Sequence, residues 1–181
     1  DKKYHRAFYQ CKNCNHIYSK LYFKLKNIYK SSYFEKTYKN IEELKKRFNF
    51  IKNLKLNQSD NKNRVLRINK YLNNKRERNL LDVGSGIGIF LYEMKKKKWK
   101  CNGLEMDERY SFFSKKYLGI KVENKRLQKI KTKKKYDLIT FNKVLEHIAN
   151  PIPILKHAKK FLKKNGLMYL EVPDEKVKKL G

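Results

Sequence analysis

The chain has 181 residues, 47 Lys and Arg against 17 Asp and Glu, and a formal net charge of +30. Its 40% hydrophobic content, with 13 Tyr and 10 Phe, supplies a sizeable core, which excludes wholesale disorder and suits one domain plus a small appendage. No apolar run approaches the length of a membrane span and no signal peptide opens the chain; with only three unevenly spaced cysteines, the expected setting is reducing and cytoplasmic rather than disulfide-framed.

Residues 1–32 are aromatic and basic and contain Cys11 and Cys14. Ile41, Leu44, Phe48, Ile51 and Leu54 recur at helical spacing and predict an amphipathic helix over 35–56. A polar stretch at 57–63 reads as a loop, and Val65, Ile68 and Leu72 predict a second helix over 63–73. The rhythm then changes to alternating strands and helices. Leu80-Leu81-Asp82-Val83 reads as a strand, 84–88 as a glycine loop and 89–97 as a helix. Strand 101–105, helix 108–118 closed by Gly119, strand 120–122, strand 136–141, a short helix at 144–148, helix 152–162 ended at Asn165-Gly166, and strand 167–172 follow. Such alternation predicts a parallel sheet covered on both faces.

The charge invites a nucleic-acid partner. The excess is mostly Lys, however, and it travels with abundant Asn, Ile and Tyr, which share A/T-rich codons. Compositional bias therefore accounts for it without a polyanion, and a dedicated phosphate reader would use more Arg. A functional basic surface stays open as the alternative.

Leu81-Asp82-Val83-Gly84-Ser85-Gly86-Ile87-Gly88 carries the functional argument. A strand that runs into closely spaced glycines and then a helix lets a ligand approach bare backbone. Ile89 stands where a dinucleotide fingerprint wants its third glycine. Asp82 at the strand end would repel a pyrophosphate and welcome a cationic group. Glu105 ends the next strand, where a carboxylate can accept hydrogen bonds from both ribose hydroxyls, and Met106 after it can lie against an adenine.

From about Asn79 to Asp174 the chain resembles a class I S-adenosylmethionine-dependent methyltransferase, of the group typified by ubiquinone-biosynthesis and sugar methyltransferases. The run at 81–88, Glu105, Tyr136-Asp137-Leu138-Ile139-Thr140-Phe141, the segment 144–151 and the strand at 166–173 carry the resemblance in family order. It implies a Rossmann-like sheet with helices on both faces. It also implies S-adenosylmethionine as cofactor, held by Asp82, Gly84, Ser85, Gly86, Gly88, Glu105, Met106 and Asn142, with Asn124 near the adenine. Asn142 could equally be a plain helix cap. The family's sheet normally has seven strands, so the chain is expected to be incomplete after the fifth.

Methyl transfer draws much of its rate from holding nucleophile and methyl in line, and a base is needed only if the acceptor must lose a proton. His147 is the candidate base. A subset of the family binds a divalent metal through an E-x-x-E-H arrangement. Here Glu146 and His147 are kept, but Lys143 replaces the first acid, which argues against that metal and leaves Glu146 and His147 to hold the loop.

Cys11-Lys12-Asn13-Cys14 has the spacing of one knuckle of a tetrahedral zinc site, with His16 a poorly spaced third ligand. The segment resembles the second knuckle of a zinc-binding region that precedes some methyltransferases of this group, with Asn15 in place of a common glycine. A redox pair and two ordinary thiols are the alternatives. Cys101, on an apolar strand, reads as core.

The expected organisation is thus a partial zinc-knuckle-like module at 1–32, a helical region at 33–75 and a cofactor-binding methyltransferase domain at 76–181. The expected acceptor is a small molecule, possibly a sugar in the family's manner. An RNA methyltransferase and a non-catalytic protein with a decayed fold are the alternatives.

Overall fold

The computed structural model describes residues 6–15, 17–21, 35–72 and 78–173, and the chain divides into two units, 1–32 and 33–181. His16 and both expected domain boundaries, after 32 and after 75, lie outside the described residues.

In the first unit, β1 (Arg6–Gln10) and β2 (Ile17–Leu21) pair antiparallel, with Tyr9 opposite Tyr18 and Gln10 opposite Ile17. The cysteine motif forms the turn between them. Asn15 takes a left-handed conformation, φ 58°, and its N–H donates to the Cys11 carbonyl at 2.9 Å. A short polar Asn tolerates that region better than most residues, which explains why it can stand for glycine here.

The second unit opens with α1 (Glu35–Asn53), which buries Ile41, Leu44 and Phe48 along one stripe. Phe48 meets the rings of Tyr92 and Phe113 at 5.3 and 5.6 Å. After one 3-10 turn at Leu56–Gln58, α2 (Asp60–Tyr71) begins three residues before its expected start. The cause is Ser59, whose hydroxyl accepts from the Lys62 N–H, with Asp60 favourable in the positive first turn.

The sheet then unfolds in chain order: β3 (Asn79–Val83), α3 (Ile89–Lys96), β4 (Lys100–Leu104), α4 (Glu108–Tyr117), β5 (Lys121–Glu123), β6 (Tyr136–Asn142), α5 (Pro151–Lys159) and β7 (Leu162–Glu171). All pairings are parallel and the order is β5-β4-β3-β6-β7. This Rossmann-like α/β architecture is the expected one. The order reverses at β3, which places a crevice at the carboxyl ends of β3, β4 and β6.

Alternation along β3 and β6 divides the core. Leu80 and Leu138 face α2 and α3, packing with Val65, Ile68, Phe90, Leu91 and Met94. Leu81, Val83, Ile139 and Phe141 face the other way, against Ile154 and Ala158 of α5. Helices therefore cover both faces.

One expectation fails at the end. The helix predicted over 152–162 stops at Lys159, and β7 starts at Leu162, opposite Tyr136. Asn165-Gly166 do not end a helix. They lie in an irregularity that shifts the register, so that Leu138 faces Leu167. The Tyr136 N–H donates to the Phe161 carbonyl at 2.8 Å and Lys163 pairs with Asp137 at 3.1 Å, so sheet pairing starts before the turn residues.

Candidate functional site

The glycine loop leaves β3 and folds directly over the end of β4. The N–H groups of Gly84 and Ser85 both donate to the Leu104 carbonyl, at 2.8 and 3.0 Å. The next residue of that strand is Glu105, and its carboxylate reaches back into the loop. The Gly86 N–H donates to Oε2 at 2.7 Å, and the Asp107 N–H to Oε1 at 2.8 Å. Bare backbone and carboxylate thus meet at one point.

The glycines of this loop serve different ends. A Cβ on Gly84 would lie 2.5 Å from a Val144 methyl, so this position lets the loop after β6 approach. A Cβ on Gly86, where φ is +54°, would meet no heavy atom within 4 Å. Gly86 alone of the loop glycines opens on free space beside Glu105. Gly88 packs on Ser114 and caps α3. Ser85 turns its hydroxyl towards Gly103, inside the fold, so only its backbone belongs to the loop surface.

Met106 is 39% exposed beside this space. Asn124 donates from Nδ2 to the carbonyls of Glu105 and Met106, at 2.9 and 2.8 Å. It fixes the segment that carries both.

Asp82 sits at the carboxyl end of β3, 1% exposed. Thr140 stands opposite it in register on β6 and donates Oγ1–H to Asp82 Oδ1 at 2.6 Å. Asn142 Nδ2 donates to the same oxygen at 2.9 Å. Asn142 is therefore not a helix cap. Burial pushes the Asp82 carboxyl up to about 7, against the pull of Thr140, Arg64 and Asn142, while Glu105 pushes it further. The Oδ1 of Asn142 is buried and has no hydrogen-bond partner. Such an acceptor next to a carboxylate that resists charging is poised for a cationic donor.

The sequence did not single out Arg64, Arg67, Tyr169 and Glu171. Arg64 on α2 forks onto the Glu171 carboxylate, with Nε at 2.8 Å from Oε2 and Nη2 on Oε1. Arg67 donates to the Tyr169 hydroxyl at 3.1 Å and to Glu171 at 3.3 Å, and Tyr169 donates to Glu171 at 2.9 Å. These bonds hold the Glu171 carboxyl down at about 2. One signal was present: Arg64 shares a helical stripe with Ile68 and Leu72, a charge inside an apolar face.

His147 and Glu146 lie in a 3-10 turn, Leu145–His147, and both are exposed. Among the described residues neither side chain has a hydrogen-bond or ion-pair partner, so they do not hold the loop as expected. Packing of Val144, Leu145 and Ile148 holds it, together with the Lys143 N–H on the Glu171 carbonyl at 2.8 Å. Lys143 itself has φ 56° and pairs with Asp60 at 2.8 Å, so the position of the missing acid is filled by a committed cation. No group of three or more metal-ligating side chains occurs among the described residues.

In the first unit the Cys11 thiol is lowered by N–H donors of Cys14 and Asn13 in the turn. Burial pushes the Cys101 thiol up to about 12, and it donates to the Leu91 carbonyl at 3.4 Å, as befits core.

Comparison with known proteins follows this geometry. The family profile described as "Methyltransferase domain" matches residues 45–180. Among solved structures, DesVI of Streptomyces venezuelae superposes with a TM-score of 0.57 at 16% identity, covering 73% of this chain and 57% of that one. Coclaurine N-methyltransferase, bound to N-methylheliamine and SAH, gives 0.55 at 18% identity, covering 80% and 52%. The plantazolicin methyltransferase BpumL, with a pentazolic desmethylPZN analogue and SAH, gives 0.54 at 17%, covering 75% and 51%. The chain thus spans little more than half the length of these structures. No curated protein sequence matches it.

Proposed function

Because the chain belongs to the methyltransferase-domain family, we propose that it uses S-adenosylmethionine to methylate a small-molecule acceptor, with a sugar-like acceptor as the finer reading. The observation that carries this is the meeting of Gly86 and Glu105 beside open space. A nucleoside laid there brings its ribose hydroxyls to Glu105 and its base to Met106, while Gly84 and Gly88 shape the loop. Three solved neighbours with the same fold are methyltransferases, and two of them carry SAH with small-molecule or peptide-like acceptors.

The residues fit the cofactor. The orphaned Asn142 Oδ1 and the reluctant carboxyl of Asp82 together suit its ammonium group. The bound cofactor supplies a methyl carbon already activated by a sulfonium. The chain's own work is to bind, to orient and to keep the in-line approach clear. His147, exposed and unpartnered, is free to take a proton from an acceptor that must lose one.

For the first unit we propose that Cys11 and Cys14 are two ligands of a structural zinc ion. Support comes from the hairpin turn and from the N–H donors that favour the Cys11 thiolate, the form that binds metal.

Titration calorimetry with S-adenosylhomocysteine tests the main reading. The folded wild type should bind saturably, and Glu105→Ala should weaken binding at least tenfold. Gly86→Ala, which fills the open space, should do the same without a clash inside the fold. A folded wild type that binds no S-adenosylhomocysteine would overturn the assignment.

A further inference from the structure

Resting on the cofactor reading above, we propose that Arg64 reads the α-carboxylate at the amino-acid end of the cofactor, opposite the Asp82 and Asn142 pair that takes its ammonium group.

Arg64 is only 4% exposed, and arginine is seldom buried so fully without partners. Its bonds leave capacity. Glu171 occupies one edge of the guanidinium, through Nε and Nη2, and Nη1 donates to Asn61 Oδ1 at 3.0 Å. A guanidinium has five N–H donors. One on Nη1 and one on Nη2 therefore have no acceptor among the described residues. Two such parallel donors match a carboxylate in bidentate fashion.

Glu171 does not cancel this cation. It is shared with Arg67 and the Tyr169 hydroxyl, so two guanidinium groups face one carboxylate and the cluster keeps a positive charge. That charge lies close enough to pull on the Asp82 carboxyl. The positions form a continuous row. Glu171 is the register partner of Asn142, and Asn142 donates to Asp82. Along the row stand two spare N–H donors with a positive charge, then a buried acceptor with no partner, then a carboxylate. An α-amino acid zwitterion presents the complementary series. A role for Arg64 in tying α2 to β7 alone would account for the Glu171 fork, but not for the orphaned acceptor beside it.

The test is calorimetric and needs no acceptor. S-adenosylhomocysteine is compared with its decarboxylated counterpart, S-adenosyl-3-thiopropylamine, on wild type, Arg64→Ala and Arg64→Lys, with circular dichroism reporting the fold. Wild type should prefer S-adenosylhomocysteine at least tenfold. Arg64→Ala should lose that preference by weakening S-adenosylhomocysteine while leaving the amine unchanged. Arg64→Lys keeps a charge but not the fork, and should fall between. Equal binding of the two ligands by wild type, or a preference retained in a folded Arg64→Ala, would overturn the proposal. If Arg64→Ala fails to fold, the wild-type ratio and Arg64→Lys decide. Binding of neither ligand to wild type would instead contradict the cofactor assignment, and the Arg64 role with it.

Discussion

Asp82 shows how burial and function are linked at a single residue. Its carboxyl is raised to about 7 in the fold, from 3.8 for an ordinary Asp. Between roughly pH 4 and pH 7 the folded chain therefore holds a proton that the unfolded chain has lost. Asp82 accordingly makes stability fall as pH rises through that window. A ligand ammonium beside it reverses the preference and expels the proton. The affinity for S-adenosylhomocysteine should thus be about tenfold weaker at pH 6 than at pH 8, and Asp82→Asn should flatten the profile. Calorimetry at the two pH values checks this, and a flat wild-type profile would contradict it. Glu171 acts with the opposite sign. Lowered to about 2 from 4.5, it contributes stability above pH 4.5 that is lost as pH falls towards 2. Asp82 and Glu105 were legible in the sequence because each closes a strand beside a recognisable loop. Thr140 and Arg64 were not marked as site residues. Their partners lie 58 and 107 residues away, and only the sheet register brings them together.

At the scale of elements, what could be read was what periodicity and glycine encode. The five strands of the parallel sheet and the helices after β3 and β4 fall within a residue or two of expectation, apart from the start of β7. Misplaced boundaries have local causes. The α2 start follows its Ser59 cap, a signal already present in the Ser-Asp pair, and β7 begins early because Leu162 pairs with Tyr136 across a register shift that no periodicity announces. The β1–β2 hairpin was hidden by the aromatic and basic composition around the cysteines. Its turn now gives the zinc proposal a shape: two thiols presented at one tip, with Asn15 left-handed behind them. Metal analysis of protein equilibrated with zinc and then desalted should find zinc retained and lost in Cys11→Ser. No retained zinc in wild type would end that reading.

For the molecule as a whole, the sheet sets the site and the charge does not. The crevice at the switch in strand order collects Asp82 from β3, Glu105 after β4 and Asn142 from β6. Lysines are spent on helix surfaces instead. Lys116 lies over the rings of Phe112 and Tyr117, and Lys45 over Tyr117, each stem covering apolar surface with its charge in water. This distribution agrees with a solvated basic exterior around a cofactor-binding centre. The account stands on the claim that one nucleoside is held between Gly86 and Glu105. The most direct measurement is a crystal structure of the protein with S-adenosylhomocysteine. The account predicts both ribose hydroxyls within hydrogen-bonding distance of the Glu105 carboxylate and the ribose beside the Cα of Gly86. A ligand bound elsewhere, or with its ribose away from Glu105, would contradict it.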